Sequence, residues 1–155
     1  MTADSAHTGF SVQTGEVRSR GAELEGRASL GHDLDVVAAF TLTNARITKS
    51  NRDDVGARPV SVPRTMASLW LDYKVPALPG LSTAAGIRYV GHQEIEGVPV
   101  PTYTVLDAAL RYRLRNWEFA LNVKNLANKR YIAACPGNCY YGDERNVMLT
   151  ARVNW

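Results

Sequence analysis

The stretch Trp117–Lys124 reads WEFALNVK, and its residues alternate between apolar and polar or small side chains. In a β-strand, successive side chains point to opposite faces of the sheet. One face of this strand is apolar and the other carries its charges: Trp117, Phe119, Leu121 and Val123 against Glu118, Ala120, Asn122 and Lys124. A sheet that is apolar on one face and ionic on the other suits a transmembrane β-barrel, with lipid outside and water inside.

The same period of two predicts further strands along the chain. In the central part of each, charged residues fall on one face only. An Arg or Lys on the lipid side costs roughly 2–4 kcal/mol at mid-bilayer, which explains this asymmetry. The seven predicted strands are Phe10–Leu30, Leu34–Thr48, Arg64–Val75, Leu81–Val90, Thr102–Leu114, Trp117–Leu126 and Glu144–Trp155.

The predicted connections alternate in length, with short turns at 31–33, 76–80 and 115–116 and long loops at 49–63, 91–101 and 127–143. Outer-membrane barrels show this asymmetry, with short periplasmic turns and long extracellular loops. Aromatic residues cluster near both predicted interfaces, as in the girdles of such barrels. They are Tyr73, Tyr112, Trp117 and Trp155 near the short turns and Tyr89 and Tyr103 near the long loops. The alternative is the ordinary preference of aromatic residues for strands.

Composition excludes several classes of protein. The 155 residues suffice for one domain with a sizeable core. The net charge of +3 is too small and dispersed to indicate nucleic-acid binding. No apolar run is long enough for a transmembrane helix, and no nucleophile elbow, P-loop or HExxH motif indicates an enzyme. The start, MTADSAHTGF, has no signal peptide, so we expect an exported chain to lack its own N-terminus.

Two cysteines, Cys135 and Cys139, lie four residues apart in ACPGNCYYG. The intervening PGN is turn chemistry, which favours a disulfide and hence an oxidising compartment. A metal site is disfavoured, because there is no second cysteine pair and His7, His32 and His92 are isolated in the sequence.

Five stretches, spread over nearly the whole chain, resemble one known family in order and near its spacing. They are GEVRSRGAELEG (15–26), VPRTMASLWLDY (62–73), GIRYVG (86–91), VPTYTVLDAALRY (100–112) and LNVKNLANKRYIAACPGNCYYGDERNV (121–147). Through these stretches the chain is similar to the C-terminal part of a TonB-dependent outer-membrane receptor of the hydroxamate-type, ferrichrome-like siderophore branch. It departs from the family at Ala127-Asn128, usually an aromatic–acidic pair, and at its last residue, Trp155, where Phe is usual.

The resemblance implies an all-β fold, an antiparallel up-and-down transmembrane barrel of which residues 1–155 are the C-terminal portion. Intact receptors of this kind have about 22 strands and a plug, so seven strands would be about a third of the barrel. We expect the plug, the TonB box and the earlier strands to be absent. The implied location is the Gram-negative outer membrane, and the implied partners are its lipid, the barrel-assembly machinery, the ferric siderophore, and TonB–ExbB–ExbD through the missing N-terminal region.

Ligand contacts in the loops follow from the same resemblance. Tyr140 and Tyr141 would pack on a siderophore, and Arg52, Arg58 and Arg145 would attract an anionic chelate. The alternative is that these are girdle aromatics and solvated loop charges. No cofactor is expected to bind directly, the ferric siderophore being the transported ligand of the intact receptor.

Other residues have structural interpretations. Trp155 resembles the terminal aromatic signal read by the barrel-assembly machinery, or serves only as an interface anchor. Inward charges are expected to pair across strands or with the plug, Asp107 with Arg88 or Lys124. The full set of these charges is Glu23, Arg88, Asp107, Arg111 and Arg152.

Two other functions stay open at this point. One is a small porin-like barrel, either free-standing or closed as a ring of three copies. The other is a soluble lipocalin-like binder with its apolar faces turned inward. Ion conductance without TonB would indicate the first, and folding in buffer without detergent the second.

Overall fold

The computed structural model describes residues 2–3, 7–12, 15–51, 53–95, 98–135 and 138–155. Seven strands form one sheet, in which every strand pairs antiparallel with the next in sequence. The sheet is an open meander whose two edges, the first and last strands, are not paired with each other. The strands are β1 (Glu16–Leu30), β2 (Leu34–Lys49), β3 (Thr65–Lys74), β4 (Leu81–Val90), β5 (Tyr103–Leu114), β6 (Trp117–Lys124) and β7 (Asn146–Val153).

Short turns join the strands at one end of the sheet and long loops join them at the other, as predicted. We call these the turn end and the loop end. Gly31 begins the first short turn with a φ of 70°, and Arg115 in the third has a φ of 55°, so these turns use left-handed backbone. Among the described residues, no helix is long and apolar enough to cross a membrane.

The pairing register separates the sheet into an apolar outer face and a charged inner face. A typical outer row runs Gly26, Ala38, Leu69, Ile87, Leu106 across β1 to β5. From the row Ala22–Leu42 down to the row Leu114–Trp117, the described outer face carries no charged residue. The inner face carries thirteen: Glu23, Glu25, Arg27, Asp35, Asp72, Lys74, Arg88, Asp107, Arg111, Arg113, Glu118, Lys124 and Arg152.

The outer face is not covered by other parts of the chain. Leu24 and Leu149 are each 72% exposed, and Phe40 and Leu106 are about 40% exposed. In β2 the inner residues, such as Thr41, are more buried than the outer ones. This arrangement disfavours the soluble alternative, because the apolar faces do not enclose a core.

Strand ends differ from the predicted ones by a few residues. The first strand begins at Glu16 and not at Phe10, because residues 7–10 form a turn in which Phe10 N–H donates to His7 O at 3.2 Å. The sixth strand ends at Lys124, since Asn125 has a φ of 49°.

One prediction about the aromatic girdle is wrong. Tyr89 lies on the outer face, but Tyr103 pairs with Val90 and therefore lies on the inner face. The cause is the period of two, by which a shift of one residue moves a side chain to the opposite face.

Short strand pairs, too short to give a periodic signal, lie outside the seven-stranded sheet. Each is an antiparallel pair of two or three residues per strand. Two of these pairs lie within the second and third long loops, so each of these loops contains a short β-hairpin. The pairs are Thr2–Ala3 with Ser11–Val12, Gln93–Ile95 with Val98–Val100, and Ile132–Ala134 with Tyr140–Tyr141.

Candidate functional site

Most of the burial in the described chain occurs at the loop end. The buried residues at this end come from all three long loops and from the adjoining strand ends. They are Ala45, Arg58, Gln93, Val100, Val105, Asn125 and Cys135, each at most 7% exposed. We call the assembly of residues 53–64, 91–95, 98–102, 127–135 and 138–145 the loop cluster. Several segments of the chain pack on one another there, whereas the strands between the loops and the turns form a single layer.

Hydrogen bonds join the three loops. Ser61 N–H donates to Glu94 O at 3.4 Å, and Arg64 N–H donates to His92 O at 3.1 Å. Cys135 N–H donates to Ser61 Oγ at 2.8 Å, across 74 residues of sequence. The first loop therefore contacts both of the others.

Asn125 positions the third loop. Its amide nitrogen donates to Lys129 O at 2.8 Å and to Asp143 O at 2.9 Å, while its Oδ1 accepts from Lys129 N–H at 2.8 Å. Its own backbone N–H donates to Asp107 Oδ1 at 2.9 Å. Asn tolerates the left-handed backbone found here better than most residues do. No role was predicted for Asn125 from the sequence, although the residue lies in the stretch 121–147 that carries the family resemblance.

Asp107 connects that loop to the inner face of the sheet. Arg88 Nε donates to Asp107 Oδ2 at 2.9 Å and Arg88 Nη2 to Oδ1 at 3.4 Å. The predicted pairing of Asp107 is thus confirmed for Arg88. A second inward pair joins Arg113 Nε to Glu118 Oε2 at 2.7 Å.

A cleft of about 240 Å³ lies between the second and third loops. Tyr103 and Tyr131 stack with ring centroids 4.1 Å apart and form part of its wall. Tyr141, Lys129 and Arg130 complete its aromatic and cationic lining. Such a lining can pack on a flat or conjugated ligand and attract negative charge.

Of the five predicted ligand residues, one lines this cleft. Tyr141 does so and is 76% exposed; Tyr140, 57% exposed, is outside it. Arg145 is exposed, and its backbone N–H donates to Asn128 Oδ1 at 2.8 Å. Arg52 lies outside the described residues. Tyr103 and Tyr131 were not predicted as ligand contacts. They form part of the cleft wall because the start of β5 and the third loop, which are distant in sequence, meet there.

Arg58 is placed differently from the exposed cation that was expected. Its side chain is 3% exposed, and its nearest acid is Glu94, with Nε 3.7 Å from Oε1. Its Nη1 and Nη2 are buried and without a hydrogen-bond partner among the described residues. Burial, with the nearby charges of Arg64 and Arg46, lowers the pKa of the guanidinium. Direct contact with a ligand would require this loop to open.

The structure joins Cys135 and Cys139 by a disulfide within the third loop. The bond closes the short hairpin that carries Tyr140 and Tyr141. In the described part of the chain, no group of three or more His, Cys, Asp or Glu side chains is arranged to hold a metal ion.

The comparisons with known proteins agree with the architecture. The family profile described as "TonB dependent receptor-like, beta-barrel" matches residues 2–126. The chain belongs to the TonB-dependent receptor family. It is therefore a segment of a β-barrel of the Gram-negative outer membrane, as its outward apolar face requires.

Two relatives show which branch of TonB-dependent receptors the chain is similar to. It is 38% identical to the ferrioxamine receptor of Yersinia enterocolitica, over 91% of the chain and 21% of that protein. It is also 38% identical to the ferrichrome outer membrane transporter/phage receptor of Escherichia coli K12, over 97% of the chain and 22% of that protein. The chain thus spans about a fifth of the length of these curated relatives.

Solved structures agree with the fold. The ferric preacinetobactin receptor of Acinetobacter baumannii superposes with a TM-score of 0.78 and 29% identity, over 90% of the chain and 22% of that protein. The ferric-catecholate import receptor of Escherichia coli K12 superposes with a TM-score of 0.74 and 28% identity, over 93% of the chain and 22% of that protein. The open meander thus matches part of a larger closed barrel.

Proposed function

We propose that residues 1–155 are the C-terminal portion of an outer-membrane receptor for TonB-dependent uptake of a ferric siderophore. The observation that carries the proposal is the similarity, over nearly the whole chain, to receptors for ferrioxamine and ferrichrome. Both named ligands are hydroxamate chelates, so we propose a ferric hydroxamate as the substrate. The segment supplies barrel wall and three loops, and the remainder of the receptor supplies the plug and the connection to TonB–ExbB–ExbD.

The loop-end cleft supports this role through its chemistry. Tyr103, Tyr131 and Tyr141 present aromatic surface, and Lys129 and Arg130 present positive charge. We propose that Tyr141 and Tyr140 contact the siderophore, while Arg145 and Arg52 attract it from solvent. Arg58 contributes long-range charge only, because its side chain is covered. The iron enters as part of the transported ligand, and we propose no resident cofactor and no catalytic activity.

Trp155 has a proposed role in biogenesis. It lies two residues beyond the end of β7 and is fully exposed. A terminal aromatic residue at this place would be available to the barrel-assembly machinery. Interface anchoring remains the alternative, and replacement of Trp155 by Phe or Ala separates the two, because only a recognition signal requires an aromatic ring for assembly.

A chimeric receptor tests the proposed function. The chain replaces the matching segment of the Escherichia coli ferrichrome transporter in a strain that lacks the natural protein. We expect TonB-dependent uptake of labelled ferric hydroxamate, and Tyr141→Ala should raise the Kd for the chelate roughly fivefold by removing an aromatic contact. Assembly is measured separately by surface labelling. A chimera that assembles but takes up no hydroxamate chelate would overturn the proposed substrate.

A further inference from the structure

The β1–β2 hairpin extends beyond the rest of the sheet at the loop end. The top of β3, Thr65, pairs with Leu42, and β2 continues to Lys49. The seven further residues of β2 project about 20 Å, at 3.3 Å per residue. The outer face of the projecting hairpin continues the lipid-facing rows of the sheet, since the pairing of β1 with β2 has no register shift from Val17 to Leu30.

The character of the outer face changes abruptly within this projection. The row Ala22–Leu42 is the last apolar one, and the next outer rows are Arg20–Asn44 and Arg18–Arg46. The girdle residue Tyr89 lies on the row of Leu24 and Phe40, one outer row below Ala22–Leu42. Arg20 lies two residues beyond the last apolar row, about 7 Å along the strand, and Arg18 lies about 13 Å beyond it. A strand tilt of roughly 35–45° reduces these distances to about 5 Å and about 10 Å along the membrane normal. The polar regions add roughly 5–8 Å on each side of the hydrocarbon, so Arg20 is at the depth of the lipid headgroups and the long side chain of Arg18 can reach them.

The described residues offer the three arginines little compensating charge. Arg18 and Arg46 lie directly opposite each other across the two strands, an arrangement that like charges make unfavourable. Arg20 makes no ion pair or hydrogen bond with the described residues. Glu16 is within electrostatic range of Arg18, but its carboxylate is bound by Lys49, with Nζ 2.6 Å from Oε2.

Other acids nearby do not neutralise this surface. The turn that follows β2 carries Asp53 and Asp54, and neither forms an ion pair with the three arginines among the described residues. Arg46 Nη1 donates only to a backbone carbonyl, that of Gly56, at 3.2 Å. A groove of about 400 Å³ runs beside Arg20, Leu42 and Asn44 and has room for a phosphate group.

We infer that Arg18, Arg20 and Arg46 form a binding site for the phosphate of a membrane-lipid headgroup. A guanidinium binds phosphate oxygens in bidentate fashion, and Asn44 adds an amide donor. The lipid chains of the same molecule would lie against Leu42, Phe40 and Leu24, directly below. The site is on the outer surface and shares no residue with the loop-end cleft, whose wall includes the inward-facing Tyr103.

Lipid selectivity of the chimeric receptor in phosphatidylcholine bilayers tests this inference. The probes are spin-labelled phosphatidic acid, phosphatidylcholine and ionised stearic acid, and the measurement is the relative association constant by electron spin resonance. We expect preference for phosphatidic acid over both other lipids. Each arginine should contribute about fivefold to the affinity for phosphatidic acid. The triple variant Arg18→Gln/Arg20→Gln/Arg46→Gln should therefore lose most of the preference for this lipid.

A matched control removes the same charge from the inner face. The variant Arg27→Gln/Arg111→Gln/Arg152→Gln should keep the preference for phosphatidic acid. If the first triple variant fails to reach the β-sheet circular dichroism of the unmodified chimera, Arg20→Gln alone gives the comparison, because it breaks no contact with the described residues. Equal loss in the control, or equal preference for stearic acid, would overturn a phosphate site. Displacement of phosphatidic acid by inorganic phosphate, at matched ionic strength, would show a free-phosphate site and overturn the lipid as its source.

Discussion

At the scale of single residues, Asn125 holds more of the loop cluster than any exposed residue does. It is 2% exposed, and its side chain makes three hydrogen bonds within the third loop. Asn125→Ala removes all three and leaves Lys129 and Asp143 groups unsatisfied. At about 1 kcal/mol for each bond, we expect a loss of roughly 3 kcal/mol in the free energy of unfolding.

Urea titration of the chimeric receptor folded in lipid measures that loss. Asn122→Ala is the control, since Asn122 lies on the inner face of β6 in the paired sheet. We expect it to change the free energy of unfolding by less than about 1 kcal/mol, as for most surface changes. Equal losses for the two variants would show that Asn125 does not anchor the loop.

A second residue-scale prediction concerns the inner surface at Trp70. The indole of Trp70 lies across Gly86 on the neighbouring strand, so that a Cβ at position 86 would overlap the ring. Gly86→Ala should displace the indole and cost about 1–3 kcal/mol. Gly26→Ala is the matched control, because nothing lies within 4 Å of a Cβ at that strand position. Near-ultraviolet circular dichroism, which reports the indole environment, should change only for Gly86→Ala; an unchanged spectrum would contradict the packing.

At the scale of elements, the two faces of one strand should respond oppositely to a charge. Val123 lies on the outer face at mid-depth, and Asn122 lies on the inner face beside it. Val123→Arg should reduce the free energy of folding into bilayers by roughly 2–4 kcal/mol, whereas Asn122→Arg should reduce it by less than 1 kcal/mol. Folding yield against urea in lipid vesicles measures both. A larger penalty at Asn122 would mean that the faces are assigned the wrong way round.

Periodic elements could be predicted from the sequence, and non-local contacts could not. Leu81–Val90 was predicted with its observed bounds because alternation and flanking turns both act locally. The strand pair Ile132–Ala134 with Tyr140–Tyr141 was missed, since two or three residues give no period. The burial of Arg58 and the Tyr103–Tyr131 stack were also missed, because each depends on segments distant in sequence that meet only in the fold.

At the scale of the whole molecule, strand parity limits self-assembly. With seven antiparallel strands, β1 and β7 both run from the loop end to the turn end. Copies related by rotation about the membrane normal would therefore meet through parallel edges. Neighbouring strands in outer-membrane barrels are antiparallel. A ring of copies would need parallel strand pairs between copies, which such barrels do not contain.

We therefore expect the chain alone to form neither a closed ring nor a soluble monomer. Its unpaired edges and exposed apolar face favour aggregation in buffer. Size-exclusion chromatography should show aggregates without detergent and mixed species with it, and planar bilayers should show no uniform conductance. Unit conductance steps of one size would instead indicate a porin-like ring, and a monodisperse monomer in buffer a soluble protein.

The most direct test of the central claim is a nitroxide scan of Trp117–Lys124 in the chimeric receptor reconstituted into bilayers. Each residue in turn is replaced by a labelled cysteine, with the native disulfide left intact. Oxygen, which concentrates in hydrocarbon, should relax the labels most strongly at Phe119, Leu121 and Val123, with minima at Glu118, Ala120 and Asn122. Reversed maxima, or equal accessibility at all positions, would contradict the assignment of the apolar face to lipid.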